Sequence, residues 1–407
     1  MTLARALLRR DPRDVGALVL VAAAARNLGD YDTARDAGQA AWRLAETDPQ
    51  RYAAALVTAQ ALSSDDRRTM AQLWLRRAVD VAPSEVARGR AVRDFRYVRA
   101  RNPWSMQLSF NIAPSNNINN GSLRETTTLF VLGADRELIL DGKARALSGT
   151  EYSGTAAIRY RFDESERHAQ DLLFQVDHRS YVLSSDAKAQ APGTTGSDFA
   201  FTQVAAGYVY RATPETGLGP YSLNATVGQN WYGGDAYFSY LRIGGEQKIK
   251  LGRKAHLSFY GSAERQFGER ASDADVLRGD VVWTRMAGAA GVLSLSVGAT
   301  GSESVSETSD YSELRAGAGF TLAKPVMGAR VSFGLEWRNR EFPRSSLDPL
   351  NGRDDREVSA SVDLVFTEIE RYGFNPTLSV LARRTESNIG LYDSEELGVR
   401  FGIRSAF

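Results

Sequence analysis

The segment Leu397–Phe407, with the sequence LGVRFGIRSAF, shows the pattern that decides the fold. Successive side chains of a β-strand point to opposite faces of the sheet, so residues two apart share a face. One face of this segment is apolar, and the other is small or cationic. The apolar face carries Leu397, Val399, Phe401, Ile403 and Phe407; the second carries Gly398, Arg400, Gly402, Arg404 and Ala406. Such a strand fits a half-buried strand of a soluble sandwich, or a membrane barrel with lipid on one side and water on the other.

The preceding sequence repeats this alternation from Trp104 onward, which favours the barrel. We predict fourteen strands, each long enough to cross a bilayer, which takes about 9–11 residues. The predicted strands are residues 104–113, 150–163, 168–182, 198–213, 219–233, 236–250, 254–266, 274–287, 290–303, 309–324, 326–341, 354–367, 371–386 and 392–407.

The connections between these strands differ in length at the two ends of the predicted sheet. At one end they are mostly short, as at 164–166 and 252–253, whereas 114–149 and 184–197 are long loops at the other end. Outer-membrane barrels have short periplasmic turns and long outer loops. Lipid cannot satisfy a free sheet edge, so the last strand must pair with the first. The sequence therefore predicts a 14-stranded antiparallel transmembrane β-barrel over residues 104–407 in the outer membrane. An even number of strands places both ends of the barrel chain on the periplasmic side.

Residues 1–98 have a helical period instead and predict an α-helical periplasmic domain, joined to the barrel by a linker over 99–103. Ala34 and Ala71 are separated by the same number of residues as Ala41 and Ala78, which indicates an internal repeat. With the run Gly29-x-Tyr31, this pattern resembles the tetratricopeptide repeat, whose period is about 34 residues. Such repeats bind a peptide or a folded partner, and a generic helical bundle is the alternative.

The start of the chain lacks a recognisable export signal. Val15–Ala25 is apolar enough for a signal peptide, but Asp11, Pro12 and Asp14 interrupt the region before it. We interpret it as a helix and expect the true N-terminus, with part of a first repeat, to be missing.

The composition excludes several function classes. Fifty basic and 49 acidic residues give a net charge of +1 and no nucleic-acid footprint. The chain has no cysteine, and its three histidines lack the spacing of metal ligands. We therefore predict no catalytic residue, no metal and no cofactor. His178 near Asp177 and Ser180, and His256 near Ser258, leave a barrel hydrolase as a third alternative.

The segment Phe110–Gly121, with the sequence FNIAPSNNINNG, carries the most specific motif. It resembles the signature Ala-Pro-Asp-Ser-Asn-Ile-Asn-Asn of the surface lipoprotein assembly modulator (Slam) family, although Ser115 and Asn116 stand where the signature has Asp and Ser. The segments 352–355, 373–376 and 387–392 resemble the family's charged loop and its last two strands. The resemblance covers residues 104–407.

The resemblance implies an outer-membrane translocator of a type XI secretion system. Its client would be a surface lipoprotein or a related secreted protein, which the barrel moves from the periplasm to the cell surface. Its other partners would be outer-membrane lipid and the barrel-insertion machinery, and Phe401, Ile403 and Phe407 would form the insertion signal. An outer-membrane diffusion channel with a periplasmic scaffold domain is the alternative function.

Two groups of polar residues are candidates for contact with the client. Asn-rich segments offer amide donors and acceptors and tolerate left-handed backbone conformations, and the arginines of the last strand should face the lumen, near carboxylates such as Asp363. The alternative for the asparagines is a hydrogen-bonded turn that shapes a loop. The candidates are Asn116, Asn117, Asn119, Asn120, Arg400 and Arg404.

Overall fold

The computed structural model describes residues 2–131, 134–215, 217, 219–369, 371 and 373–405. They divide into two compact units: a helical unit, which extends to Ser105, and a barrel unit, which starts at Met106. This order confirms the predicted fold class.

The helical unit is a series of antiparallel helices, each packed against the next. Several begin at a side-chain cap: Asp14, Asp30 and Ser84 each accept a backbone N–H from the first turn that follows. The helix α6 extends to Arg101, so the first part of the expected linker is helical. The helices are α1 (Thr2–Arg10), α2 (Val15–Asn27), α3 (Tyr31–Leu44), α4 (Asp48–Ser64), α5 (Arg68–Asp80) and α6 (Glu85–Arg101).

Small residues let these helices approach closely. Ala34, Ala41, Ala71 and Ala78, the residues that share one spacing, are all fully buried. A Cβ atom on Gly38 would lie 2.3 Å from the hydroxyl oxygen of Thr58 in the next helix. Residues at equivalent positions of an internal repeat should be buried alike, as these four alanines are. The assignment to the tetratricopeptide class stays a prediction. None of the described helices is long and apolar enough to cross a membrane.

The barrel unit consists of antiparallel strands, most of which pair with their neighbours in sequence. Among the described residues, fourteen strands form one closed barrel, as predicted, and β1 closes it by pairing with β16. The strands β2 and β3 form a separate hairpin. The strands are β1 (Trp104–Ser115), β2 (Thr126–Val131), β3 (Ala134–Ile139), β4 (Gly149–Glu164), β5 (His168–Leu183), β6 (Phe201–Ala212), β7 (Tyr221–Tyr232), β8 (Asp235–Leu251), β9 (Ala255–Gly268), β10 (Ala274–Met286), β11 (Gly291–Ser304), β12 (Tyr311–Leu322), β13 (Ala329–Phe342), β14 (Arg353–Phe366), β15 (Phe374–Ser387) and β16 (Ser394–Ser405).

The two ends of the barrel differ as the sequence predicts. One end, which we call the turn end, carries short connections such as 165–167 and 252–254. The opposite end, the loop end, carries the long loops 116–148 and 184–200. The first of these contains the β2–β3 hairpin and the second contains the helix α7 (Ser185–Gln190), neither of which we expected.

The two faces of the barrel wall are chemically distinct. Large apolar side chains on the outer face are exposed, such as Leu277 at 65%. On the inner face, curvature brings side chains of next-nearest strands together. Gln203 of β6 donates a hydrogen bond to the hydroxyl of Tyr240 of β8 (2.7 Å), and Arg315 of β12 lies 2.6 Å from Asp280 of β10. The apolar outside and polar inside are the arrangement of a membrane-spanning barrel.

Candidate functional site at the loop end of the barrel

The Asn-rich segment begins the loop 116–148, and Asn117 closes a turn there. Its side-chain oxygen accepts the N–H of Gly121 (2.8 Å), and its side-chain nitrogen donates to the carbonyl of Gly121 (3.0 Å). The amide thereby satisfies both backbone groups of one residue, and Asn117 is buried as a result.

Asn119 docks the same segment onto the end of the loop. Its side-chain nitrogen donates to the carbonyls of Lys143 (3.0 Å) and Arg145 (2.9 Å), and its oxygen accepts the N–H of Leu147 (2.9 Å). The backbone N–H of Ile118 also donates to the carbonyl of Leu147 (2.8 Å). The two ends of the loop are therefore held side by side.

The backbone at the tip of the motif explains the choice of residues there. Asn120 has a φ of 51°, a left-handed conformation that Asn tolerates better than most residues. A Cβ atom on Gly121 would lie 2.3 Å from the carbonyl oxygen of Arg145, so only glycine fits. The side chain of Asn120 is exposed.

Asn116 connects the motif to the closing strand of the barrel. Its side-chain oxygen accepts the N–H of Leu397 in β16 (3.0 Å). The structure thus brings the Asn-rich segment and the loop end of the last strand together.

A second connection joins the loop 116–148 to the segment before β16. The Nε atom of Arg124 lies 2.5 Å from Oδ2 of Asp393, and the N–H of Leu123 donates to the Asp393 carbonyl (2.9 Å). The Ser122 hydroxyl donates to the carbonyl of Gly390 (2.8 Å). We call these five residues the loop latch. Asp393 is buried, and its other oxygen accepts the N–H of Ser387 (2.8 Å).

The loop 116–148 also packs against the loop 184–200. Gln190 donates to the carbonyls of Gly142 (3.0 Å) and Ala146 (3.2 Å). A small apolar core lies beneath these bonds, formed by Ile118, Leu147, Leu183, Ala187 and Ala191. The Asn-rich loop is therefore fixed on two sides, by 184–200 and by 388–393.

Asp198 orders the far end of the loop 184–200. Its carboxylate accepts the N–H of Thr195 (3.0 Å) and the hydroxyl of the same residue (2.9 Å). These hydrogen bonds, the backbone one first, favour the charged form and hold the pKa of Asp198 below its ordinary value.

Below the loops, the lumen wall carries a connected series of ion pairs around Glu313. This carboxylate is 3% exposed and contacts Arg315 (3.1 Å), Arg338 (3.7 Å) and Arg340 (2.5 Å). Three cations around one buried carboxylate compensate for the cost of removing it from water. A buried carboxylate without a cationic partner would strongly destabilise the fold.

The series continues through the last strands to β16. Arg338 lies 3.6 Å from Glu357, Arg383 lies 3.7 Å from the same carboxylate, and Arg383 lies 3.5 Å from Glu396. We call this series the ionic belt. Its members are Asp280, Glu313, Arg315, Arg338, Arg340, Glu357, Arg383 and Glu396.

The two arginines of the last strand, β16, lie at different distances from the turn end of the barrel. Arg400 reaches Glu151 of β4 (3.8 Å), across β1, instead of the expected Asp363. β15 lies between Arg400 and Asp363, and its Ser379 hydroxyl donates to the Asp363 carboxylate (2.6 Å). Arg404 pairs in register with Ser109 of β1, close to the turn end.

Two residues of the expected insertion signal lie on the outer face. Phe401 is 55% exposed and Ile403 is 42% exposed, on the side that faces lipid. Phe407 lies outside the described residues.

All three histidines lie on barrel strands. His178 contacts the hydroxyl of Thr202 in the next strand (2.9 Å). His168 contacts Ser165 (2.7 Å) and Asp163 (2.8 Å), and Ser165 also accepts the N–H of His168, so this group closes the turn between β4 and β5. His256 of β9 pairs in register with Lys250.

Comparison with known proteins identifies the barrel. Residues 104–403 match the protein-family model described as surface lipoprotein assembly modifier. No curated protein matches the chain.

Structural matches among solved proteins share little sequence. OccAB2 of Acinetobacter baumannii is 7% identical over 74% of this chain and 98% of its own, with a TM-score of 0.38. The outer membrane protein OprD of Pseudomonas aeruginosa is 7% identical over 74% and 93%, with a TM-score of 0.36. An anion-selective porin from Comamonas acidovorans is 14% identical over 75% and 100%, with a TM-score of 0.33.

Proposed function

Because the chain belongs to the surface lipoprotein assembly modifier family, we propose that it moves a client lipoprotein, or a related secreted protein, from the periplasm to the cell surface. The protein is an outer-membrane β-barrel of the channel or translocator kind. The observation that carries the proposal is the family match over residues 104–403, which begins with the first barrel strand and includes the loop latch and the ionic belt.

The loop end is the exit in this proposal. The chain enters β1 at the turn end, and β16 ends there too, so the helical unit belongs on the periplasmic side. A polypeptide leaving the lumen meets the loops 116–148, 184–200 and 388–393. The latch between the first and last of these loops consists of hydrogen bonds and one ion pair, which can break without disturbing the strand pairing.

The asparagines would act in two ways. Asn117 and Asn119 use their amides on backbone groups of their own loop, so their role in transport would be to give that loop its shape. Asn116 and Asn120 are exposed, as are Arg400 and Arg404, and these four are the residues we propose to touch the client. The helical unit would capture the client, or a chaperone that carries it, before entry.

Surface display of candidate clients tests the proposal. Exported lipoproteins of the same bacterium are probed on intact cells with and without the gene. We expect at least one of them to stay in the periplasm when the gene is absent and to return to the surface on complementation. Normal display of every candidate, together with loss of small-solute uptake, would instead support the diffusion channel.

A further inference from the structure

The helical unit contains a pocket of about 420 Å³ that is lined by residues of α2, α4, α5 and α6. Pockets that bind ligands typically measure about 300–1,000 Å³. Its floor is apolar because Ala59, Leu75 and Val98 are buried there. The pocket therefore has the size and the floor of a binding site.

The rim of the pocket is cationic. Arg26, Arg68 and Arg101 line it, and Asp94 is the one carboxylate among the described lining residues. Net positive charge above an apolar floor favours a ligand that carries a carboxylate next to an apolar group, because Arg binds carboxylates through paired, charge-assisted hydrogen bonds.

Two of these arginines are held in place before any ligand binds. Arg68 donates to the carbonyl of Arg101 (2.8 Å) and to the carboxylate of Asp66 (2.8 Å). The guanidinium of Arg101 lies 3.8 Å from the centre of the Tyr97 ring, a cation–π contact. Fixed cations lose less side-chain entropy on binding.

We propose that this pocket binds an acidic, extended segment of the client polypeptide. The inference rests on the proposed function, since it names the chemistry by which the helical unit takes up its cargo. An extended segment suits an opening that is lined by several helices. Its apolar side chains would pack on the floor while its Glu or Asp side chains meet the arginines.

Peptide binding to the full-length protein in detergent tests the proposal. The probes are a fluorescent peptide that alternates Glu with Leu and its counterpart with Gln in place of Glu. The test variant is Arg26→Gln/Arg101→Gln. Its matched control is Arg96→Gln/Arg99→Gln, which removes the same charge from exposed positions of α6 outside the pocket. A second test variant, Ser63→Glu, places a repelling charge in the lining without removing an arginine.

We expect the Glu peptide to bind the wild type and the control, and to bind Arg26→Gln/Arg101→Gln at least about tenfold more weakly, since hydrogen bonds to charged groups are strong. Ser63→Glu should weaken binding as well. Equal binding of the Gln peptide, or an equal loss in the control, would overturn the proposal. So would competition by vesicles rich in phosphatidylglycerol that depends on the same arginines, because the pocket would then be a lipid site.

The display assay separates this inference from the proposed function. If a client needs the gene but is displayed normally by both test variants, the pocket proposal fails and the translocator proposal stands. If no client needs the gene, the translocator proposal fails.

Discussion

Asp393 and Arg124 join the last hairpin of the barrel to the loop after its first strand, with 2.5 Å between Oδ2 and Nε. Asp393 is buried, whereas 62% of the Arg124 side chain is exposed. One oxygen of the carboxylate therefore holds Arg124 in the latch, while the other accepts the N–H of Ser387 at the end of β15.

Replacing Asp393 by Ala should release the loop 116–148 without unfolding the barrel. The change removes the acceptor of the exposed Arg124 guanidinium and of the part-buried N–H of Ser387. A buried donor that loses its acceptor costs about 1–3 kcal/mol, and we expect a local cost of that order. Limited proteolysis of the folded protein measures the release as faster cleavage within the loop. Asp310→Ala is the control, since Asp310 lies in the connection between β11 and β12 and accepts the backbone N–H of Ser304. Equal cleavage rates in the two variants would contradict the latch.

Asn119→Ala should destabilise the loop 116–148, whereas Asn120→Gly should not. Asn119 makes three hydrogen bonds, and their loss should cost about 2–4 kcal/mol locally. Gly at position 120 should be neutral or slightly stabilising because the backbone there is left-handed. Hydrogen exchange of residues 116–122 checks both expectations, and faster exchange in Asn120→Gly than in Asn119→Ala would refute them.

Glu313→Gln should destabilise the barrel wall more than Glu336→Gln. Glu313 is buried among three arginines, and breaking such a group typically costs about 3–5 kcal/mol. Glu336 pairs with Arg338 and is 43% exposed, so its loss should cost at most about 1 kcal/mol. The temperature at which the folded barrel loses its fast mobility on detergent gels measures the difference. A similar temperature for the two variants would argue against the ionic belt as a stabilising feature.

Acidification should loosen the loop 184–200 through Asp198. The pKa of this carboxylate is lowered in the folded state, so its contribution to stability is present above the ordinary Asp pKa and is lost as the pH falls through the lowered value. Hydrogen exchange of the Thr195 amide at decreasing pH, corrected for intrinsic rates, should show this loss. In Asp198→Asn the pH dependence should be absent, and an unchanged profile in that variant would assign the effect to another group.

Much of the barrel could be predicted because a strand between lipid and water alternates along its whole length. The predicted strand bounds differ most at strand starts: the strands predicted from 198, 326 and 371 begin at Phe201, Ala329 and Phe374. In the first case, residues 196–199 form a short 3₁₀ helix instead. The hairpin of β2 and β3 was missed because two short strands inside a long connection carry little periodic signal, although the threonines at 126–128 favour a strand.

The Asn-rich motif could be predicted from the sequence, but the contacts that it makes with distant residues could not. The Asn-rich segment is recognisable in the sequence, and its asparagines do shape a loop. Its partners lie far along the chain: Asn116 bonds Leu397, and Arg124 meets Asp393. Closure of the barrel was predicted, but contacts at such separation also depend on the register of β16 against β1 and on the path of the loops, which no local pattern encodes. The same holds for Arg400, whose carboxylate partner Glu151 lies across β1.

Deleting Asn116–Asn120 should leave barrel insertion intact and reduce client display, because the loop would lose its shape and two of the proposed contact residues. Heat-modifiable mobility on gels checks insertion, and antibody labelling of intact cells checks display. Unchanged display in the deletion would remove this loop from the transport mechanism.

The most direct test of the central claim compares the surface exposure of exported lipoproteins in strains with and without this gene. Protease shaving of intact cells followed by mass spectrometry reports every candidate at once. The translocator account predicts that at least one lipoprotein becomes protease-resistant in intact cells without the gene, at an unchanged total amount, and is shaved again when the gene is restored. An identical set of shaved lipoproteins in both strains would contradict it.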